Sequence, residues 1–372
     1  MKPGRIWIAW ESQRRSLGLS RRFGAELALC LRSGWLRYPY ALAWTASRLS
    51  RNRGGLVFVQ NPSMVLAAFA GAVKGLFGFR LVVDRHSNFG YLAGHGAGLK
   101  RRLSDLLSGF TLRRADLTIV TNPELAGYVE NAGGRAFVLP DPFPDLSAWR
   151  EEAVAAETAT DPSHRPREIL FVSSWAFDEP IAAAMEACRR LPGEIVIRIT
   201  GRPPAAYAKA LADAPPNFIP TGFLSENDFF SAMARCDAVM AVTSRAATLV
   251  CGGYEGAALG KPLILGSSAA LRAYFDAGCV YTDGSPADLE LCIRNLFTAL
   301  PAYRRDIRAW HARRAVEWES RLTTLEGIIA ALSEPAVPEA SEPSTDFAAF
   351  NPEWDRTRAP AGFGADAAAS AG

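Results

Sequence analysis

Two runs, Asp237-Ala-Val-Met-Ala-Val-Thr-Ser244 and Gly252-Gly-Tyr-Glu-Gly-Ala-Ala-Leu-Gly-Lys-Pro-Leu-Ile-Leu-Gly266, decide the fold of this chain of 372 residues. Ala238 to Val242 and Pro262 to Leu265 are short and apolar on both parities. That is the pattern of strands covered on both faces of a parallel sheet, not of half-exposed hairpin strands. A helix opens between them around Gly252-Gly253, as a parallel connection requires.

The same rhythm extends upstream through Glu168 to Ser173, Glu194 to Thr200 and Phe218 to Gly222, which makes one parallel domain. Arg5 to Ala9, Leu56 to Gln60, Phe79 to Asp84, Leu117 to Thr121 and Arg135 to Leu139 make another. Helices are expected around residues 64–77 and 98–114, with a loop from Trp10 to Ser20 and a helix from about Arg21. The chain is long enough for two cores. The expected class is α/β, two Rossmann-like domains: 1–150, a connection over 151–167, and 168–302. Late helices over 303–332 would cross back to the first domain, and a flexible tail would occupy 333–372, where Ala, Pro, Glu, Ser and Gly dominate.

The net charge of +3 hides an asymmetry. Residues 1–150 hold 21 Lys or Arg against 9 Asp or Glu, and residues 151–372 hold 20 against 29. The first half therefore suits a polyphosphate or an anionic membrane surface. No helix-turn-helix, zinc-finger or RNA-binding signature accompanies that charge, so specific nucleic-acid binding is not expected. The six cysteines are scattered and read as buried thiols in a reducing compartment. The start of the chain has no signal-peptide pattern, and no apolar run is long enough to span a bilayer. A cytoplasmic location follows as the expectation. Trp35, Tyr38, Tyr40 and Trp44 are mixed with Arg37, Arg48, Arg51 and Arg53, which adds possible attachment to the inner face of the plasma membrane.

The pieces Ser244, Glu255, Ala258, Gly260 and Pro262 resemble the donor region of glycosyltransferases of the GT-B fold. Ala247 stands where many retaining members carry the first of two glutamates, which favours an inverting reaction. Phe58-Val-Gln-Asn-Pro62, Asp84-Arg-His-Ser-Asn-Phe-Gly-Tyr91 and Ser173-Ser-Trp175 resemble segments of the cytosolic beta-mannosyltransferases that extend lipid-diphosphate-linked oligosaccharides. Arg85 replaces an aromatic residue of that family. The resemblance implies transfer from a nucleotide sugar to a lipid-diphosphate-linked or polysaccharide-precursor acceptor. A nucleotide-sugar epimerase and a non-catalytic nucleotide-sugar-binding partner of another glycosyltransferase are the alternatives.

Such an enzyme must hold a diphosphate, a sugar and an acceptor hydroxyl. Donor candidates are Arg202 after one strand, Ser173, Ser174, Ser244 and Arg245 after two others, and the helix start Gly252, Gly253, Tyr254 and Glu255. The resemblance gives Glu255 the ribose or sugar hydroxyls, and gives Gly18 a place in a loop near the diphosphate. Each serine pair could equally close loop hydrogen bonds, and Arg202 could be an ordinary exposed arginine. Acceptor candidates are Arg14, Arg15, Gln60, Asn61, Asn88 and His95. His86 suits a general base, with Asp84 two positions away to orient it. No Asp-any-Asp motif is present, so neither a metal nor a cofactor is expected.

Overall fold

A computed structural model of the protein describes residues 4–34, 36–61, 63–85, 99–158 and 166–333. The first half alternates β1 (Arg5–Ala9), α1 (Arg14–Arg22), β2 (Glu26–Leu29), α2 (Arg37–Arg51), β3 (Leu56–Asn61), α3 (Met64–Phe77), β4 (Arg80–Arg85), α4 (Leu99–Arg114), β5 (Leu117–Val120), α5 (Pro123–Asn131) and β6 (Ala136–Val138). The second contains α6 (Ser147–Thr158), β7 (Arg167–Phe171), α7 (Ile181–Arg190), β8 (Ile195–Thr200), α8 (Ala208–Ala212), β9 (Phe218–Gly222) and α9 (Glu226–Arg235). It continues with β10 (Ala238–Ala241), α10 (Cys251–Ala258), β11 (Leu263–Gly266), α11 (Ala269–Tyr274), β12 (Cys279–Thr282), α12 (Pro286–Thr298) and α13 (Leu300–Ser333).

Every strand pair is parallel, in the orders β2-β1-β3-β4-β5-β6 and β12-β11-β10-β7-β8-β9. The expected pair of α/β domains is thus present. In each sheet the direction of winding reverses beside the first strand, and such switch points open a crevice at the carboxyl ends of the strands.

Both sheets are covered on two faces. Leu49, Leu66 and Ala70 from α2 and α3 pack on one face of the first sheet, and Leu19 from α1 packs on the other together with Leu322, Leu325 and Ile329 from the far end of α13. Ile181 and Ile293 cover one face of the second sheet, and Phe230, Ile307 and Trp310 the other. Helix α13 therefore belongs to both cores. Trp310 donates to the Tyr274 carbonyl (3.1 Å), and Trp318 donates to the Pro140 carbonyl (3.0 Å) on the first-domain side.

Several local expectations are corrected. Residues 14–22 form a helix rather than a loop, and residues 26–29 form an edge strand where a helix was expected. Residues 147–158, which overlap the start of the expected connection over 151–167, form a helix whose Ala153 joins the second core. All six cysteines are free, but only four are buried as expected: Cys251 is exposed and Cys279 half-buried. Among the described residues no helix is long and apolar enough to cross a membrane.

Candidate functional site

Helix α1 starts four residues after β1, at the carboxyl edge of the first sheet. Its Gln13 cap makes no side-chain hydrogen bond, and its first turn has no acidic residue, so nothing from its own sequence neutralises that end. Arg14 leaves this point and reaches the second domain. Its guanidinium lies 3.0 Å from Glu226 Oε1 and 3.8 Å from Glu255 Oε1, over the ring of Phe230. Glu226 opens α9 and Glu255 lies in the middle of α10, so one arginine links elements from the two sheets. Asn122, the cap of α5, makes a second link by donating to the Ala247 carbonyl (3.1 Å).

The Glu255 side chain is 16% exposed, and burial pushes its carboxyl above the ordinary 4.5 although Arg14 opposes this. An acid whose pKa rises on folding loses stability as pH climbs through the interval between the unfolded and folded values, and the whole cost is present above it. Glu255→Gln should raise the thermal midpoint at pH 7 and leave it unchanged near pH 4, while weakening donor binding. A lower midpoint at pH 7 would show that the Arg14 contact outweighs the burial.

Helix α10 approaches the sheet closely because of its glycines. A Cβ on Gly252 would lie 2.9 Å from Val172 Cβ and 3.1 Å from Ala241 Cβ, and one on Gly253 would lie 2.8 Å from the Phe275 ring. These glycines serve helix–sheet packing, whatever their backbone N–H groups hold. Gly252→Ala should cost about 1–3 kcal/mol through overpacking, seen as a lower midpoint in a thermal melt; an unchanged melt would mean the helix has room to move. Tyr254 is buried against Phe143, Tyr274 and Phe275, and that burial holds its phenol well above the ordinary range.

The turn after β7 is organised by Glu179. Its carboxylate accepts from Ser173 Oγ (2.6 Å), from the Ser174 amide and hydroxyl (3.1 and 3.0 Å) and from the Ala176 amide (3.1 Å). Both serine hydroxyls are thereby engaged within the turn. Trp175 is held at φ +61° and donates its indole N–H to the Thr200 carbonyl (2.8 Å). Gly201, at φ +86°, passes beneath, where a Cβ would meet the Ser173 carbonyl at 2.5 Å. Arg202 then emerges exposed, with no partner among the described residues.

Asp178 accepts from Thr243 Oγ1 and pairs with Arg245 (3.1 Å), while its carbonyl accepts from the Ser244 amide (2.9 Å). The loops after β7, β10, β11 and β12 enclose a cavity of about 490 Å³ beside this cluster, with Ser244 in its lining.

In the first domain, Asp84 is fully buried at the end of β4 and accepts from Arg15 Nε with both oxygens (2.9 and 3.1 Å). Arg15 also donates to the Leu139 and Pro140 carbonyls and to Asp141 (3.0, 3.1 and 2.9 Å). Burial opposes its charge, but Asp84 and Asp141 more than compensate and raise its pKa. One side chain thus fastens α1, β4 and the segment leading to the second domain. Gly18 lies on the exposed face of α1, with open space around it. His86, Asn88 and His95 lie outside the described residues.

Gln60 and Asn61 end β3 beside Asp84 and Arg85, with exposures of 1% and 0%. All four of their side-chain amide atoms lack a hydrogen-bond partner among the described residues. Unpaired buried amides are costly, so two together at the ligand edge of a parallel sheet are candidates for binding a polar group. Arg85 donates to Ser108 Oγ (2.7 Å), and burial pushes its guanidinium down to about 10.

Sequence reasoning missed Glu226, which meets Arg14 from a distant part of the chain, and read Asp178 and Glu179 only as part of a resembling segment, without the roles their contacts give them. Ser225 could have been found, since it caps α9 by accepting from the Asp228 amide (3.2 Å).

Residues 10–140 match the glycosyl transferase 4-like domain family. No curated protein sequence matches the chain. HepE of Anabaena, solved in complex with UDP and glucose, has a TM-score of 0.63 at 13% identity, over 87% of this chain and 90% of that one. Sucrose-phosphate synthase from Thermosynechococcus elongatus has a TM-score of 0.69 at 15% identity, over 88% and 99%. A glycosyltransferase from Rickettsia africae has a TM-score of 0.61 at 11% identity, over 89% and 91%. These likenesses establish the architecture as GT-B, two Rossmann-like domains facing a cleft.

Proposed function

We propose that the protein is a metal-independent, inverting glycosyltransferase that moves a sugar from a nucleotide-sugar donor to a lipid-diphosphate-linked or polysaccharide-precursor acceptor. The observation that carries this reading is the meeting of Arg14 with Glu226 and Glu255, a cation from one ligand edge and two carboxylates from the other. A nucleoside diphosphate offers phosphate oxygens to Arg14 and ribose hydroxyls to Glu255, so it can occupy the same groups in a complementary way. Arg202 supplies a second cation for the leaving diphosphate. The match of residues 10–140 and the UDP complex of HepE support this donor class.

In the reaction, an acceptor hydroxyl oxygen forms a bond to the anomeric carbon as the bond from that carbon to the diphosphate oxygen breaks. The nucleoside diphosphate leaves with the electron pair, its charge stabilised by the arginines. The proton passes to a base, which we assign to His86. Asp84, ion-paired to Arg15, fixes the strand end from which His86 follows. Inversion is supported by Ala247, which leaves no carboxylate at that position. The acceptor side is assigned to the basic first domain, with Gln60 and Asn61 binding a polar group of the glycan. The likeness of residues 58–62 and 84–91 to beta-mannosyltransferases supports a lipid diphosphate. The work would take place on the cytoplasmic side, against a membrane.

Binding of a nucleotide panel, followed by thermal shift, tests the donor assignment. Nucleoside diphosphates should stabilise the protein more than monophosphates, and Arg14→Ala with Arg202→Ala should remove that difference. Equal response to mono- and diphosphates in the unaltered protein would contradict it.

A further inference from the structure

We propose that the cavity at the carboxyl ends of β7, β10, β11 and β12 is a binding site for a neutral pyranose sugar, separate from the cleft assigned to transfer. The proposal goes beyond the transfer reading and does not depend on it. The cavity holds about 490 Å³, bounded by the segment that opens α7, the loop after β10 and the turns that lead into α11 and α12. Small-molecule pockets span about 300–1,000 Å³, so it is large enough. Helices α7 and α12 cover the sheet face lined by Ile181 and Ile293, while α9 and α10 cover the face lined by Phe230 and Tyr254. Arg14, Glu226 and Glu255 are not in its lining.

Among the described residues the lining carries Asp178, Glu179 and Asp283 but no Lys, Arg or His. Three carboxylates repel a phosphate, so this is not where a nucleotide settles. Two of them are spent within the protein, Asp178 on Thr243 and Arg245, and Glu179 on the serines of the turn after β7. Asp283 is different. Its Oδ1 accepts from the Ser285 amide (2.7 Å), and its Oδ2 has no partner among the described residues. The hydroxyls of Ser244 and Ser267, in the same lining, have none there either. On this assignment Ser244 serves the second sugar rather than the donor.

Sugar hydroxyls match this set, because each both donates and accepts, as a serine hydroxyl does, and a carboxylate oxygen takes a donated proton in a charge-assisted bond. Phe177 supplies the apolar half. Its ring is part of the cavity wall yet 70% exposed, with the Arg245 guanidinium 5.9 Å from its centroid. A pyranose has an apolar C–H face and a polar rim, which suits a ring set beside hydroxyls and a carboxylate. A wholly apolar ligand would strand Asp283 and both serines without partners.

The test is saturation-transfer NMR of the full chain with methyl glycosides of glucose, mannose, galactose and N-acetylglucosamine, and with the disaccharides cellobiose and lactose. At least one should bind. Phe177→Ala should weaken that sugar about three- to tenfold, and Asp283→Asn, which keeps the oxygen facing the Ser285 amide, about tenfold or more. Neither should move the thermal midpoint or the response to nucleoside diphosphates, and Arg14→Ala should leave sugar affinity unchanged. A disaccharide bound more tightly than its monosaccharide assigns the site to a glycan chain, and equal affinity assigns it to a single sugar; both results sustain it. The site is overturned if no sugar of the panel binds, or if either folded variant binds as the unaltered protein does. It is also overturned if a nucleotide sugar that binds by thermal shift displaces the glycoside, since both would then share the donor cleft. Sugar binding without any transfer would instead remove the reaction and leave this site standing.

Discussion

Asp84→Ala is expected to destabilise the protein by about 3–5 kcal/mol, the usual cost of leaving a buried charge without its partner. Arg15 is 6% exposed and would keep only Asp141 and two carbonyls as acceptors. Urea unfolding measures the loss. Arg15→Met combined with Asp84→Leu should recover most of it, because an apolar pair has no charge to strand. A loss below about 1 kcal/mol for Asp84→Ala, the range of a surface pair, would show that the end of β4 does not depend on this contact. Any role of Asp84 in the chemistry then has to pass through position: both its oxygens already accept from Arg15, and it shares no surface with solvent.

His86→Ala should lower kcat by about 100- to 10,000-fold, the range associated with a general base, with little change in the melt. The acidic limb of the pH–rate profile should disappear from the residual activity. His86 lies outside the described residues, so this expectation comes from its place two positions after Asp84, at the carboxyl edge where parallel sheets hold ligands. Undiminished turnover, or an unchanged acidic limb, would move the base to another side chain.

The parallel sheets were legible because their central strands are apolar on both parities. Phe58 and Val59 at β3, and Val239 and Met240 at β10, have no solvent face to dilute the signal. Helix α1 was unreadable for the opposite reason. Its buried residues are Arg15, Ser16, Leu19 and Ser20, so the inward face is polar and apolar periodicity cannot reveal it. Edge strand β2 pairs on one side only and begins with an exposed Glu26. Helix α6 buries only Ala153 fully, too little to stand out from a connection.

At the site, residue type and position after a strand identified Arg14, Gln60 and Glu255 as candidates. What each side chain touches was not readable: Arg14 meets Glu226 more than 200 positions away, and Ser173 and Ser174 are taken by Glu179. The first pairing depends on how the two domains approach, and the second on how the turn after β7 closes on itself. Gly252 shows the same limit. Its place at a helix start suggests a phosphate, while its surroundings show a close approach to Val172 and Ala241.

The most direct test of the central claim is to incubate the purified protein with UDP-, GDP- and other nucleotide-linked sugars and polyprenyl-diphosphate glycans, following nucleotide release and glycan mass together. The account predicts acceptor-dependent release matched by a one-sugar increase in glycan mass. A donor that binds but is neither released as nucleotide nor transferred to any acceptor of the panel would contradict it and leave a nucleotide-sugar-binding protein in its place.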